Sequence, residues 1–333
     1  MRGYVLERYG DPSAMSLRGV AEPEAGPGMV LVRVHAAGLN PVDYKVREGK
    51  MRLINRLRLP LVAGSELAGV VEQVGPGVTR FAPGDRVFAR TDKSRMGAFA
   101  DYAPVAESLL AKFPDELDFR HAAGLPLAGL TALQGLRDQL GVRPGGRLYI
   151  SGGAGGVGTL AIQIAKALGA EVATTASGRG EELVRKLGAD HVIDYKKERA
   201  QDVLHGYDYA FDLIGGDELT GAFHVVRPGS TVLSIAGVPE PSTALDLGRG
   251  PLLEALFWLA SAKIRREAHG RGVRYRYRFM HPSGADLEFL GGLVHRADLS
   301  VVVDRVYSLE EIGEAFAYLE QGRAKGKVIV EMA

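Results

Sequence analysis

Residues 147–177 constrain this chain more than any other stretch. Three apolar residues, Leu148, Tyr149 and Ile150, run into Ser151 and then a glycine run that contains Gly153-x-Gly155-x-x-Gly158. An apolar helix pattern follows (Leu160, Ile162, Ile164, Ala165, Leu168), and a second strand begins near Glu171. A glycine triplet in this strand–turn–helix–strand context predicts a dinucleotide site. Gly153 is expected to make the tight turn, Gly155 to let the backbone approach a pyrophosphate, and Gly158 to let the helix pack closely on the sheet. The pyrophosphate then rests on free N–H groups at the positive end of the helix. Ser151, Gly153, Ala154, Gly155, Gly156, Val157 and Gly158 are the expected contacts.

The end of the second strand predicts which dinucleotide. A site for NAD usually carries Asp or Glu there, about twenty residues on, to hold the ribose 2′-hydroxyl. Here the chain reads Ala176-Ser177-Gly178-Arg179, without a carboxylate. Ser177 can donate to a phosphate oxygen, and Arg179 can fork onto a 2′-phosphate that an acid would repel. The expected cofactor is NADP(H).

Bulk properties narrow the function classes. A chain of 333 residues suits two domains. Its net charge of +1 offers no general attraction to nucleic acid or an anionic membrane. The absence of cysteine excludes disulfides, thiolate zinc sites and a cysteine nucleophile, and it fits a reducing cytoplasm. Glu7 and Arg8 stand where a signal peptide needs an apolar core. The longest apolar stretch, 252–262, contains Glu254 and is too short to span a bilayer. A cytoplasmic protein with neither membrane nor nucleic acid as partner is expected.

Residues 1–112 read as short strands broken by Pro27-Gly28, Gly75-Pro76-Gly77 and Pro83-Gly84-Asp85, the texture of a partly closed β-barrel. Val30, Val32 and Val34 alternate with Leu31, Arg33 and His35, as in a strand with one buried face. From Asp118 the texture changes: helical spacing covers 125–140, and strands at 147–151, 171–176, 190–194, 207–213 and 230–236 alternate with helices. That alternation predicts a parallel sheet covered on both faces. A helix over 252–266 precedes Val273-Arg-Tyr-Arg-Tyr-Arg-Phe279, whose three arginines read as a charged face guarding a sheet edge. Such an edge can continue across a subunit boundary, so a homodimer is expected. A helix from Asp286, a strand at 301–306, a helix at 309–321 and a strand at 327–331 are too few for a third domain and are expected to complete the first.

The motifs together match a family. Gly38-Leu39-Asn40-Pro41-Val42-Asp43-Tyr44-Lys45, Gly64-Ser65-Glu66-Leu67-Ala68-Gly69, Pro83-Gly84-Asp85-Arg86-Val87, Leu130-Thr131-Ala132, the 151–158 loop, Leu187-Gly188-Ala189-Asp190, Asp212-Leu213-Ile214-Gly215-Gly216 and Gly322-Arg323-Ala324-Lys325-Gly326-Lys327 occur in this order. The chain resembles the medium-chain dehydrogenase/reductase superfamily, in particular its zinc-lacking, zeta-crystallin-like quinone oxidoreductase branch. The resemblance implies an α/β protein: a GroES-like, partly closed barrel as catalytic domain (1–118 and 284–333) and a Rossmann domain with a doubly wound parallel sheet (119–283), with the active site in the cleft between them.

Departures from the zinc-dependent relatives point to the chemistry. Asn40 stands at their zinc cysteine, Ser65 and Glu66 follow Gly64 where they carry Gly-His-Glu, and the cysteine-rich structural-zinc lobe is missing. Glu66 alone does not make a zinc site. Without a metal, hydride transfer needs an acceptor that is already electrophilic, a quinone or an α,β-unsaturated carbonyl, with protein donors aimed at the developing oxyanion. Asn40 is the first candidate donor and is alternatively a turn residue before Pro41. Tyr44 and Lys45 are candidates for proton source or carbonyl clamp. Tyr44 can equally pack in the core, and Lys45 can equally pair with Asp43 or Glu48. The common branch pattern has Tyr at position 45; the Lys version resembles a subgroup linked to enone reduction. His35 and His121 read as structural.

The resemblance also places Thr131 near the nicotinamide and Tyr195 near the adenosine phosphate. Ile214, Gly215, Ala236, Gly237, Phe279 and Met280 lie just past strand ends, where this fold holds its ligands. The expected function is zinc-independent, NADPH-dependent reduction of quinones or enones. Two rival readings are an enoyl-thioester reductase and a protein that senses NADPH or binds RNA without turnover, the latter resting only on Arg274, Arg276 and Arg278.

Overall fold

The computed structural model describes residues 1–332 and divides the chain into two compact units, Met1–Leu130 with His281–Ala333, and Thr131–Met280. The sequence division at 118 and 284 thus falls at 130 and 280. Helix Phe119–Gly124 goes to the first unit because it packs on strands Met29–Leu39 and Glu66–Val74.

The first unit holds a seven-stranded sheet and a three-stranded one. The long strand Met29–Leu39 is its spine, pairing antiparallel with Glu66–Val74, with Tyr102–Ala106 and with the last strand, Lys327–Glu331. The C-terminal segment therefore closes the first unit, and Ile312, Phe316, Val328 and Val330 join Val30, Val32, Val34 and Leu67 in one core. Leu31, assigned by alternation to the exposed face, is buried as well, leaving Arg33 as the outward residue. The strand expected at 301–306 runs Val303–Ser308, parallel to the last strand.

The second unit carries six parallel strands: β1 (Arg147–Ile150), β2 (Glu171–Ala176), β3 (His191–Asp194), β4 (Tyr207–Asp212), β5 (Val226–Ser234) and β6 (Arg274–Tyr277). Their order is 3-2-1-4-5-6, so the connection reverses between β1 and β4. In such sheets the crevice outside the carboxyl ends of the strands at this reversal is where ligands bind. Helix α1 (Gly156–Ala167) follows β1 and buries Leu160, Ile162 and Ile164. The helix expected over 252–266 is two, α2 (Pro251–Ala260) and α3 (Ala262–Gly270). They part at Ser261, whose buried hydroxyl donates back to the Phe257 carbonyl at 2.6 Å, a bond that competes with the helical ladder. Among the described residues no helix is long and apolar enough to cross a membrane.

Candidate active site

At the end of β1 the chain turns through Gly152, whose φ of +70° is the left-handed conformation a side chain resists. The tight turn thus lies one residue before Gly153, where the motif put it. Gly153 is needed for a different reason: a Cβ there would stand 2.2 Å from Thr174 Oγ1 of β2. At Gly158 a Cβ would meet the Gly152 carbonyl oxygen at 2.5 Å and the Gly153 backbone at 2.7 Å, so only glycine lets α1 sit this close to its own entry loop. Gly155 is the contrast. It caps α1 without a side-chain bond, and its missing Cβ would find no atom nearer than 3.5 Å. A helix N-terminus with unmet backbone donors, facing open space at a glycine, is a cradle that fits a pyrophosphate.

The loop is braced from below by residues that motif reading did not single out as site residues. Asp212, the buried last residue of β4, accepts from Ser151 Oγ at 2.9 Å, Ser234 Oγ at 2.6 Å and Gly215 N at 3.0 Å. Ser151 Oγ accepts in turn from Leu213 N at 2.9 Å, and Ser234 Oγ from Ala236 N at 3.1 Å and Gly237 N at 2.8 Å. One carboxylate thus ties together the carboxyl ends of β1, β4 and β5. Ser151, expected to touch the dinucleotide, has its hydroxyl committed to this brace. The signal in the sequence is a polar residue closing a short apolar run at the end of each of three strands: Leu148-Tyr149-Ile150-Ser151, Ala210-Phe211-Asp212 and Val232-Leu233-Ser234. Thr175 adds a second brace, accepting from Gly152 N at 2.9 Å.

Most of the other expected contacts follow the carboxyl ends of the parallel strands in the chain, and Thr131 lies in a separate helix. Ala154 is buried in the loop, while Gly156 and Val157 open the first turn of α1 half-exposed. Ser177 is buried just past β2, and Arg179, exposed at the start of the next helix, has no ion-pair partner among the described residues. Tyr195 follows β3 with its ring half in solvent. Ile214 reaches over Gly152, and Gly215 packs against the Ala236 backbone. Phe279 lies edge-on to Tyr277, ring centroids 5.0 Å apart, with half-buried Met280 beside it in the chain. Thr131 is buried within helix Pro126–Leu133.

In the first unit, Asn40 precedes helix Pro41–Arg47 and is almost fully buried. Its amide is not free to donate outward. Nδ2 donates to Glu66 Oε1 at 2.7 Å and to the Gly38 carbonyl at 3.3 Å, and Oδ1 accepts from Lys327 Nζ at 2.5 Å. The Lys327 ammonium also lies 2.6 Å from Glu66 Oε1, both side chains being out of solvent at 3% and 0% exposure. Glu66 Oε2 accepts from Leu127 N at 2.5 Å. Asn40 is thus one member of a closed Asn40–Glu66–Lys327 network. Asp43 anchors the same corner, accepting from Asn40 N at 2.9 Å and from the Ser65 hydroxyl. Burial, partly offset by those hydrogen bonds, pushes its carboxyl up to about 6.

Tyr44 is half-buried against the core, and burial followed by Glu320 and Glu48 raises its phenol. Lys45 is also half-buried but pairs with neither expected partner. Asp43 is engaged as above, and Glu48 takes Lys50 at 2.7 Å. Burial, then repulsion by Lys50, lowers the Lys45 ammonium below the ordinary lysine value, with Glu48 opposing. His35 stacks on Phe119 at 4.1 Å and His121 bonds Asp118 within its own helix turn, both structural roles.

Comparison with known proteins adds to this geometry. The alcohol dehydrogenase GroES-like domain matches residues 26–115, and the zinc-binding dehydrogenase family matches residues 187–330. The mitochondrial NAD(P)H oxidoreductase RTN4IP1 of Danio rerio is 32% identical over 356 residues, covering 100% of this chain and 91% of the relative. The chloroplastic NADPH-dependent alkenal/one oxidoreductase of Arabidopsis thaliana is 35% identical over 343 residues, covering 99% of this chain and 79% of the relative. The structure of the quinone oxidoreductase from Coxiella burnetii superposes with a TM-score of 0.85 at 29% identity, covering 100% of this chain and 99% of that one.

Proposed function

The chain belongs to the quinone oxidoreductase branch of the medium-chain dehydrogenase/reductase superfamily, and from that premise we propose that it is an NADPH-dependent reductase of quinones or α,β-unsaturated carbonyls. The observation that carries the proposal is the cradle at the carboxyl edge of the parallel sheet, an α1 behind Gly155 with no side-chain cap, together with an exposed Arg179 after β2 that has no ion pair among the described residues. When bound, the reduced nicotinamide supplies a hydride. The α1 N–H groups hold the pyrophosphate and Arg179, with Ser177, holds the 2′-phosphate. Tyr195, Ile214, Gly215, Ala236, Gly237, Thr131, Phe279 and Met280 shape the rest of the bed. Asp212 keeps the loop ends in register through Ser151 and Ser234.

In the first unit the proton at the acceptor oxygen is assigned to Lys45 Nζ. The donor must be a group whose hydrogens are not already committed, which favours Lys45 over Asn40. Asn40 is a positioning residue that holds the backbone entering the Lys45 helix. Zinc has no part in this reading. Where a zinc site would need three donors of thiolate, imidazole or carboxylate type, this corner offers an amide, a hydroxyl and two carboxylates, Glu66 already paired with Lys327 and Asp43 already held by Asn40 N and the Ser65 hydroxyl. The proposal also includes a cytoplasmic location and a homodimer joined along β6, whose outer edge pairs with no other strand among the described residues.

The test is a mixing assay of the purified protein with NADPH or NADH against benzoquinone, phenanthrenequinone, hexenal and an exocyclic enone, read by loss of nicotinamide absorbance. Enone turnover with NADPH well ahead of NADH supports both the phosphate pocket and Lys45. Turnover of quinones alone removes the enone half. No turnover with any acceptor, while NADPH still binds, refutes the proposal.

A further inference from the structure

Helix α2 carries its leucines on the wrong side for a core. Leu252, Leu256 and Leu259 recur at the spacing of one helical face, with Ala255 between them, and stand in solvent at 86%, 45% and 65% exposure. Trp258 flanks them at 54%, and Leu245 of the preceding helix is 61% exposed. Only Phe257 of this helix is buried. Isolated exposed leucines need no explanation, but a contiguous apolar face on one helix marks an interaction surface.

The charge beside this face identifies the partner. Lys263 and Arg266 on α3, then Arg271 and Arg274, are exposed and form no ion pair among the described residues. Arg265 bridges the two regions, lying 5.5 Å from the Trp258 ring and donating to the Trp258 carbonyl at 2.9 Å. The segment 245–274 holds six Lys and Arg against Asp246, Glu254 and Glu267, and Asp246 is itself taken by Arg278 at 2.8 Å. The net charge of +1 for the whole chain averages over this local excess and hid it. A short helix with leucines on one face, an indole at its margin and cations alongside is the pattern of a segment that lies in a membrane interface, leucines among the acyl chains and cations at anionic headgroups.

We propose that α2 and the cations of α3 bind the surface of an anionic lipid bilayer, without crossing it. The sequence alone gave no membrane partner; the exposure of this face is what changes that. The proposal is independent of the reductase reading.

Trp258 is the only tryptophan in the chain, so its emission reports on this helix alone. The full chain, with NADPH present or absent, is mixed with vesicles of phosphatidylcholine containing phosphatidylglycerol, or of phosphatidylcholine alone, and followed by fluorescence and co-sedimentation. A blue shift and sedimentation with the anionic vesicles are expected, weakening as salt rises. The double substitution Leu252→Ser with Leu259→Ser, at exposed positions where folding is not at stake, lowers partitioning by about tenfold or more. The pair Lys263→Glu with Arg266→Glu lowers it while leaving the apolar face intact. Equal binding to phosphatidylcholine alone, or no binding to either vesicle, overturns the proposal. So does self-association in the absence of lipid that the same leucine substitutions abolish, which would assign the face to a second copy of the chain.

Discussion

Asp43 and Lys45 lie two residues apart on one short helix, and their protonation is displaced in opposite directions, each by burial before anything else. For Lys45 the consequence is catalytic. Lys45→Met is expected to lower kcat/KM for enones by about a hundredfold, the lower end of what one positioned acid supplies. The wild-type profile should fall with rising pH at a value below that of an ordinary lysine, since the donor must carry its proton, and the variant should lack that limb. A variant with full activity removes Lys45 from the mechanism. For Asp43 the consequence is a stability slope. Its carboxyl is raised from 3.8 to about 6, so between those values the folded state holds a proton that the unfolded state has released. Stability from this group is therefore full below pH 4 and is lost as pH rises to 6, by about 3 kcal/mol in total. Other carboxylates titrate too, so the measurement is the difference between wild type and Asp43→Asn in urea unfolding across that window. A flat difference curve contradicts the assignment. Neither behaviour was legible in the sequence, where Asp43 was a candidate partner for Lys45. The reason is that the corner is assembled from Asn40, Ser65, Glu66 and Lys327, the last 287 residues from Asn40, and no local pattern encodes such a closure.

At the scale of elements the sequence was far more legible, because a strand, a glycine turn and an amphipathic helix are each written in consecutive residues. The five strands expected over 147–236 are all present, with ends displaced by up to a few residues, and the arginine-bearing segment read as a sheet edge supplies the sixth. What the motif could not say was which glycine turns and which packs, since Gly152 and Gly153 adjoin and only backbone geometry separates their tasks. Nor could periodicity see the break at Ser261, which involves neither proline nor glycine. The glycines separate folding from binding in a testable way. At Gly155 the backbone is in an extended conformation any residue adopts, and an added Cβ touches nothing closely. Gly155→Ala should therefore fold within about 0.5 kcal/mol of wild type, while the methyl group obstructs the approach of a pyrophosphate and weakens NADPH binding. At Gly158 the methyl group must displace the loop backbone, and Gly158→Ala should cost about 1–3 kcal/mol in urea unfolding. Unchanged NADPH affinity in Gly155→Ala would move the pyrophosphate away from this turn.

At the scale of the whole molecule, the second unit is an insertion in the first. Residues 131–280 interrupt a unit that begins at Met1 and resumes at His281. Each has its own apolar core, one built on Val30, Val32, Leu67, Phe316 and Val328, the other on Tyr149, Ala173, Phe223, Val232 and Tyr275. Separate cores allow separate unfolding, so two calorimetric transitions are expected in place of the single one typical of a small domain. NADPH assigns them. If its contacts lie in residues 131–280, as the glycine loop, Ser177 and Arg179 imply, a concentration a hundred times Kd stabilises that unit by about 2.7 kcal/mol and raises one transition. The other transition should hold its temperature, unless its unit also grips the cofactor. In Gly155→Ala the ligand-dependent shift should shrink, with both transitions near their unliganded positions. A single transition that moves as a whole with NADPH would mean that the two cores melt as one cooperative body. In that case the Asp43 slope should appear in the unfolding of the entire chain, whereas with separate melting it belongs only to the transition that NADPH leaves in place.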